Sequence, residues 1–181
     1  MKGLLTLDLA GRLGFCRWNP GASPYIGTYL LPEPVDKCYG RRNSTFRQWL
    51  IKTIQTHEIE LVVYEENIII PKRDNLNRLK LAIGLTMITE EVCFSQNISC
   101  STAAISQWRK HYLGSGGYST EQAKEYCMNK AQAAGFKPQH HDAAEALGIM
   151  DFTADMLKIQ KDWPDSNIFG NILFDPRKKA K

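Results

Sequence analysis

A short apolar run, Leu4, Leu5, Thr6 and Leu7, ends on a carboxylate at Asp8, and the chain then turns through Ala10 towards Gly14 and Phe15. Such a run reads as a buried strand. A charge set against that much apolar surface costs several kcal/mol unless it is paired or binds a metal, so Asp8 needs partners. The pattern recurs. Leu61, Val62, Val63 and Tyr64 lead into Glu65 and Glu66, and the helix-forming stretch from His140 to Leu147 carries Asp142 and Glu145 three residues apart. Two strand-end acids and an i, i+3 pair on one helical face would make a four-acid cluster suited to a hard divalent cation such as magnesium.

At 181 residues the chain is long enough for one domain with a proper core, and its 43% hydrophobic and 23% charged content is ordinary for a globular protein. The formal net charge is +4 and the pI about 8.8. If the acids gather in one site, the remaining surface is more basic than this total suggests, which suits a polyanionic substrate held beside a metal cluster. A weakly basic surface with no specific partner is the alternative. Cys16, Cys38, Cys93, Cys100 and Cys127 are odd in number and form no CxxC pair, so they read as reduced thiols of an intracellular protein. The N-terminus makes a poor signal peptide and nothing approaches a membrane span, so a cytoplasmic location is expected.

Strands are predicted at residues 3–8, 14–18 and 25–31, with Asn19, Pro20, Gly21, Ser23 and Pro24 as turn punctuation, implying an antiparallel meander. Residues 36–57 carry Phe46, Trp49, Leu50 and Ile54 at helical spacing, and a strand follows at 61–65. Residues 75–94 form a long helix whose apolar side chains, including Leu79, Ile83 and Met87, reach most of its circumference; it is either deeply buried or shared with a second subunit. A short strand at 98–101, a helix at 102–112, a Gly-rich loop, a helix at 119–134 capped by Ser119 or Thr120 and stopped at Gly135, and a last helix from Pro138 to about residue 159 complete the reading. Residues 1–160 are expected to form the folded domain, and 161–181 an irregular basic tail with Arg177, Lys178, Lys179 and Lys181.

This order, with acids ending the first and fourth strands and on the last helix, resembles the ribonuclease H-like fold and, more narrowly, the RuvC-type Holliday junction resolvases, including phage forms. The matching pieces are Leu7, Asp8 and Leu9 followed by Gly14 and Phe15; Val63, Tyr64 and Glu65; Ser101 and Thr102 with Lys110 and Gly114 beyond them; and the stretch from Asp142 to Leu147. The resemblance implies an α/β fold: a mixed five-stranded sheet, three antiparallel strands then parallel additions, flanked by helices. It also implies that Asp8, Glu65, Asp142 and Glu145 are catalytic and hold two Mg2+ ions, with Mn2+ as a substitute. Asp8 would bridge the ions, Glu65 would hold one, and Asp142 with Glu145 the other. Strand alternation favours Glu65 over Glu66. The family's last acid is usually Asp, so Glu145 is a departure, and some relatives place a His in the third acidic position, which makes His141 a rival there.

By the same resemblance the substrate is a four-way junction or other branched DNA, cut by a homodimer whose two-fold interface uses the 75–94 helix. Lys72, Arg73, Arg78, Arg109, Lys110 and Lys124 are the candidate DNA contacts. Ile68, Ile69 and Ile70 are either a wedge entering the junction or a continuation of the strand. Three other functions compete. A ribonuclease H acting on RNA–DNA hybrids would share the fold; a non-catalytic junction binder would have lost its acids; an actin-like ATPase would need a phosphate loop and a second domain, neither of which is visible.

Overall fold

The computed structural model describes residues 2–36, 38–66, 76–161 and 163. In chain order these form β1 (Gly3–Asp8), β2 (Arg12–Trp18), β3 (Tyr25–Leu30), α1 (Gly40–Thr56), β4 (Ile59–Glu65), α2 (Leu76–Ser95), β5 (Ser99–Ala103), α3 (Ile105–Leu113), α4 (Thr120–Ala133) and α5 (His141–Met156). The five strands make one sheet in the order β3-β2-β1-β4-β5. The β1–β2 and β2–β3 pairs are antiparallel, β1–β4 and β4–β5 parallel, so the expected mixed sheet is the one observed.

β1 lies at the centre, and its alternation sorts the core into two layers. Leu5 and Leu7 face one cluster with Phe46, Leu50 and Ile54 of α1 and Leu85 and Val92 of α2. Leu4 faces the other with Trp108 and Tyr112 of α3, Cys127 and Ala131 of α4 and the body of α5. Central, parallel-paired strands covered on both faces explain why β1 and β4 read as nearly continuous apolar runs. α5 is the most buried helix: twelve of its sixteen residues are buried. Ala143, Ala144, Ala146 and Gly148 let it lie close to its neighbours, and the Thr6 hydroxyl donates to the Ala146 carbonyl at 2.7 Å.

Several boundaries differ from the sequence reading, each for a local reason. β5 runs on to Ala103 because the β4 ladder continues to the Glu65–Ala103 pair, which delays α3 to Ile105. α1 starts at Gly40 rather than near residue 36, where Asp36 takes a positive φ of 49° in a turn and Val35 pairs with Cys38. α5 starts at His141, with His140 extended as its cap. The capping box of α4 uses Ser119 and Gln122, and the chain leaves that helix through Gly135 at φ 87°.

Lys161 and Trp163 are fastened to the domain. The Trp163 indole is buried edge-on against Trp18 at 4.7 Å and donates to Asp151 at 3.0 Å, and the Lys161 ammonium reaches Asp151 and Asp155 at 3.1 and 2.9 Å. All five cysteines are free thiols. Among the described residues no helix is long and apolar enough to cross a membrane.

Candidate metal centre

Period-two alternation sends Asp8 to the face that carries Leu4 and Thr6, which is the face covered by α5. β4 does the same for Glu65, two residues beyond Val63 in that layer. The β1–β4 register pairs Leu7 with Tyr64, one residue before each acid, so the two carboxylates leave the same end of neighbouring strands. Tyr64 points the other way and donates its hydroxyl to Glu90 of α2 at 2.7 Å. Glu66 is exposed, with its backbone N–H given to Ala103, and stands apart from the site.

The first turn of α5 supplies the rest. Asp142 and Glu145 are only 5% and 6% exposed, low for acids at a helix end and consistent with their pointing inwards over the strand ends. Carboxylate oxygens of Asp8, Asp142 and Glu145 lie within 4.8 Å of one another. Glu65 stands beside this trio rather than in it, because its Oε2 accepts a hydrogen bond from the Trp108 indole at 2.9 Å. Gly148 makes that contact possible: a Cβ there would meet Tyr112 at 2.7 Å and Trp108 at 2.9 Å.

Crowded acids resist ionisation. Burial, and then the neighbouring Glu145, Glu65 and Asp142, push the Asp8 carboxyl well above its ordinary range, and Arg109 offsets only part of this. Burial and Glu65 push Glu145 up to about 7, with Arg109 and Lys124 opposing. Burial raises Glu65 too, against the pull of Arg109 and the Trp108 hydrogen bond. Oxygen-only ligands whose mutual repulsion a divalent cation would relieve are a donor set that fits a hard metal ion.

Asp8, Glu65, Asp142 and Glu145 are thus brought together. Of the six cations, Arg109 lies inside the cluster, its guanidinium 3.3 Å from Glu145 with 11% side-chain exposure. Lys124 on α4 is near enough to act on Glu145 and pairs with Glu121 at 3.8 Å. Lys110 and Arg78 are exposed on α3 and α2. Lys72, Arg73 and the run from Ile68 to Ile70 lie outside the described residues. Sequence reasoning missed Trp108 as a partner of Glu65, since an aromatic four residues before Tyr112 reads simply as core. Nor did it show that Arg109, a candidate DNA contact, lies against Glu145.

The sheet order and the helices on both of its faces are those of the ribonuclease H-like fold. No family model matches the sequence, and no curated protein matches it. Among solved structures, RuvC of Thermus thermophilus is similar with a TM-score of 0.61 at 14% identity, over 85% of this chain and 96% of that one. The T. thermophilus RuvC in complex with a Holliday junction substrate gives 0.66 at 15% identity over 88% and 99%. The yeast mitochondrial Holliday junction resolvase gives 0.58 at 10% identity over 93% and 81%. The architecture is therefore that of the RuvC-type resolvases.

Proposed function

We propose that this protein is a metal-dependent endonuclease that cuts Holliday junctions or other branched DNA, working in the cytoplasm as a homodimer. The observation that carries the reading is the convergence of Asp8, Asp142 and Glu145 within 4.8 Å, beside Glu65, on a fold shared with proteins that resolve such junctions. Two divalent cations, Mg2+ or Mn2+, held by these four acids would neutralise the scissile phosphate, activate water at neutral pH and stabilise the leaving oxygen.

The chain's own residues prepare that centre. Asp8, central among the acids, is the natural shared ligand. Trp108 fixes the direction of the Glu65 carboxylate. Arg109 holds Glu145 while the site is free of substrate, and swinging it to a phosphate oxygen would release that carboxylate to a metal. Lys124, near enough to Glu145 to act on its charge, is a cation that a DNA strand at the centre would meet.

The decisive experiment compares purified wild type with Asp8→Asn on a synthetic four-way junction and on an RNA–DNA hybrid, with Mg2+ present. Paired cuts across the junction by wild type, little cutting of the hybrid, and no cutting but retained junction binding by Asp8→Asn are expected. Preferential cutting of the hybrid would replace this reading with a ribonuclease H. Substantial cutting by Asp8→Asn would remove the assigned centre.

A further inference from the structure

The outer edge of the sheet carries aromatic rings that the metal centre does not use. β3 is an edge strand, and across it Arg17 pairs with Tyr25, Phe15 with Gly27 and Leu13 with Tyr29. These side chains share the face covered by α1, opposite to the face of the acids. Gly27 leaves room for the Phe15 ring, which a Cβ at that position would meet at 2.7 Å. Phe15 lies 6.0 Å from Tyr25 and 5.3 Å from Trp49 of α1, and Trp49 stacks on Tyr29 at 5.4 Å with 20° between the planes. Tyr25 is 54% exposed, and Phe15, Trp49 and Tyr29 are half-buried. Packing accounts for Phe15 and Trp49, which touch the core. It leaves the exposed Tyr25 ring, at the end of the row, without a role.

The charge around these rings has one sign. β2, β3 and α1 contain Arg12, Arg17, Arg41, Arg42, Arg47 and Lys52 and no acidic residue. Arg42 and Arg47 pair with Glu33 and Glu91. Arg17 lies over the Tyr25 ring, 4.3 Å from its centroid. Lys52, one turn beyond Trp49 on α1, and Arg41 are exposed and make no ion pair among the described residues. At the Tyr29 end, Arg41 and Thr45 join Leu30, Leu31, Pro32 and Glu33 around a hollow of about 380 Å3.

We infer that the β2–β3 edge and α1 bind an unpaired strand of DNA, on the opposite layer of the sheet from the metal centre. Bases stack on aromatic faces whatever their sequence, and cations beside the rings meet the phosphates. A duplex keeps its bases stacked on one another, so only an unpaired strand offers them to these rings. β2 joins the two surfaces: Gly14 lies against Asp142, and Phe15, pointing to the other face, belongs to the row of rings. The choice of DNA rests on the proposed function; the stacking and the charge do not.

Fluorescence anisotropy of a labelled oligothymidine of about twenty nucleotides tests this on the full chain, with EDTA present so that nothing is cut. Wild type should bind it. Tyr25→Ala should weaken that binding about tenfold and leave binding of a blunt duplex within about twofold, while Tyr25→Phe, which keeps the ring, should bind like wild type. Arg41→Ala/Lys52→Ala should lower the slope of log affinity against log salt by about 1.4, from two phosphate contacts at about 0.7 each. Thermal melting checks that the variants are folded. Should Tyr25→Ala unfold, cross-linking of wild type decides instead: an oligonucleotide carrying 5-iododeoxyuridine, which couples to rings it stacks on, should leave adducts on Tyr25, Tyr29 or Trp49. No binding by wild type, binding unchanged in a folded Tyr25→Ala, an equal loss on the duplex, an unchanged salt slope in the double variant, or adducts only elsewhere in the chain would overturn the inference. A protein that binds the oligonucleotide here but cuts no junction would refute the nuclease reading alone.

Discussion

Gly14 lies against the backbone of Asp142: a Cβ built on Gly14 would stand 2.0 Å from the Asp142 carbonyl oxygen and 2.3 Å from its carbonyl carbon. Gly14 is also the β2 partner of Asp8. One contact therefore fixes how closely the first acid of β1 and the first turn of α5 approach. Gly14→Ala cannot be absorbed by a rotamer change, since the obstacle is main chain, so the start of α5 must move away. We expect a loss of about 1–3 kcal/mol of stability, typical of overpacking, and a larger loss of Mn2+ affinity. Calorimetric melting and metal titration measure the two; an alanine variant with wild-type metal affinity would show that this contact does not set the site.

The strand-end positions of Asp8 and Glu65 were legible in sequence because a short apolar run ending on an acid is a local signal. So were the mixed sheet and the α5 pair. What local pattern could not show is lateral. Nothing in the spacing of Trp108 or Arg109 reveals that α3 packs across Gly148 and points the indole at Glu65 and the guanidinium at Glu145, because both contacts join residues far apart in the chain. The starts of α3 and α5 were misread for the same reason. β5 is extended by its partner strand, and the α5 start depends on the cap at His140.

Glu65 should matter far more than Glu66. Glu65→Gln removes a charge from the centre, while Glu66→Gln alters only an exposed side chain. Trp108→Phe keeps most of the packing but removes the hydrogen bond to Glu65, and we expect it to cut cleavage about tenfold with a smaller change in junction binding. Rates and gel-shift affinities for the three variants decide this. A dead Glu66→Gln beside an active Glu65→Gln would show that the register of β4 has been assigned one residue out.

A second buried acid, Asp151, predicts a pH effect away from the centre. It is fully buried and is held by His111 at 3.2 Å, Lys161 at 3.1 Å and Trp163. Burial alone would raise its carboxyl, but the His111 hydrogen bond and Lys161 hold it below its ordinary 3.8, so its contribution is present above that pH and is lost as pH falls through the lowered value. The Asp151 hydrogen bond, with Asp155 adding to it and burial and Lys161 opposing, raises His111 above its ordinary 6.5. Its contribution is complete below 6.5 and is lost as pH rises through the raised value. Wild type should therefore melt at a lower temperature at pH 8.5 than at pH 5.5. Asp151→Ala should lose about 3 kcal/mol at pH 5.5 and shrink that difference to the part contributed by the raised carboxyls of Asp8 and Glu145. Equal pH slopes in the two proteins would separate His111 from the stability of this cluster.

The exposed side of α2 bears on assembly. Leu76, Ile83, Met87 and Phe94 are 64%, 44%, 62% and 88% exposed, and their spacings of seven, four and seven residues place them along one stripe of the helix. The opposite side buries Leu85, Thr89, Val92 and Cys93 in the domain. A helix that is apolar on both sides has one surface left to cover, and the seven-four-seven spacing is that of a seam meeting another helix. Symmetric cutting of a four-way junction needs two centres, and a two-fold pairing through this stripe would supply them. Light scattering on the native protein should give a dimer at micromolar concentration. Met87→Glu, at an exposed position, should give a folded monomer with the melting behaviour of an isolated subunit and uncoupled nicks in place of paired cuts. Leu85→Glu, at a buried position on the other side, should instead unfold the chain. A native protein that is monomeric and still makes paired cuts would remove α2 as the interface and leave its exposed apolar stripe without that role.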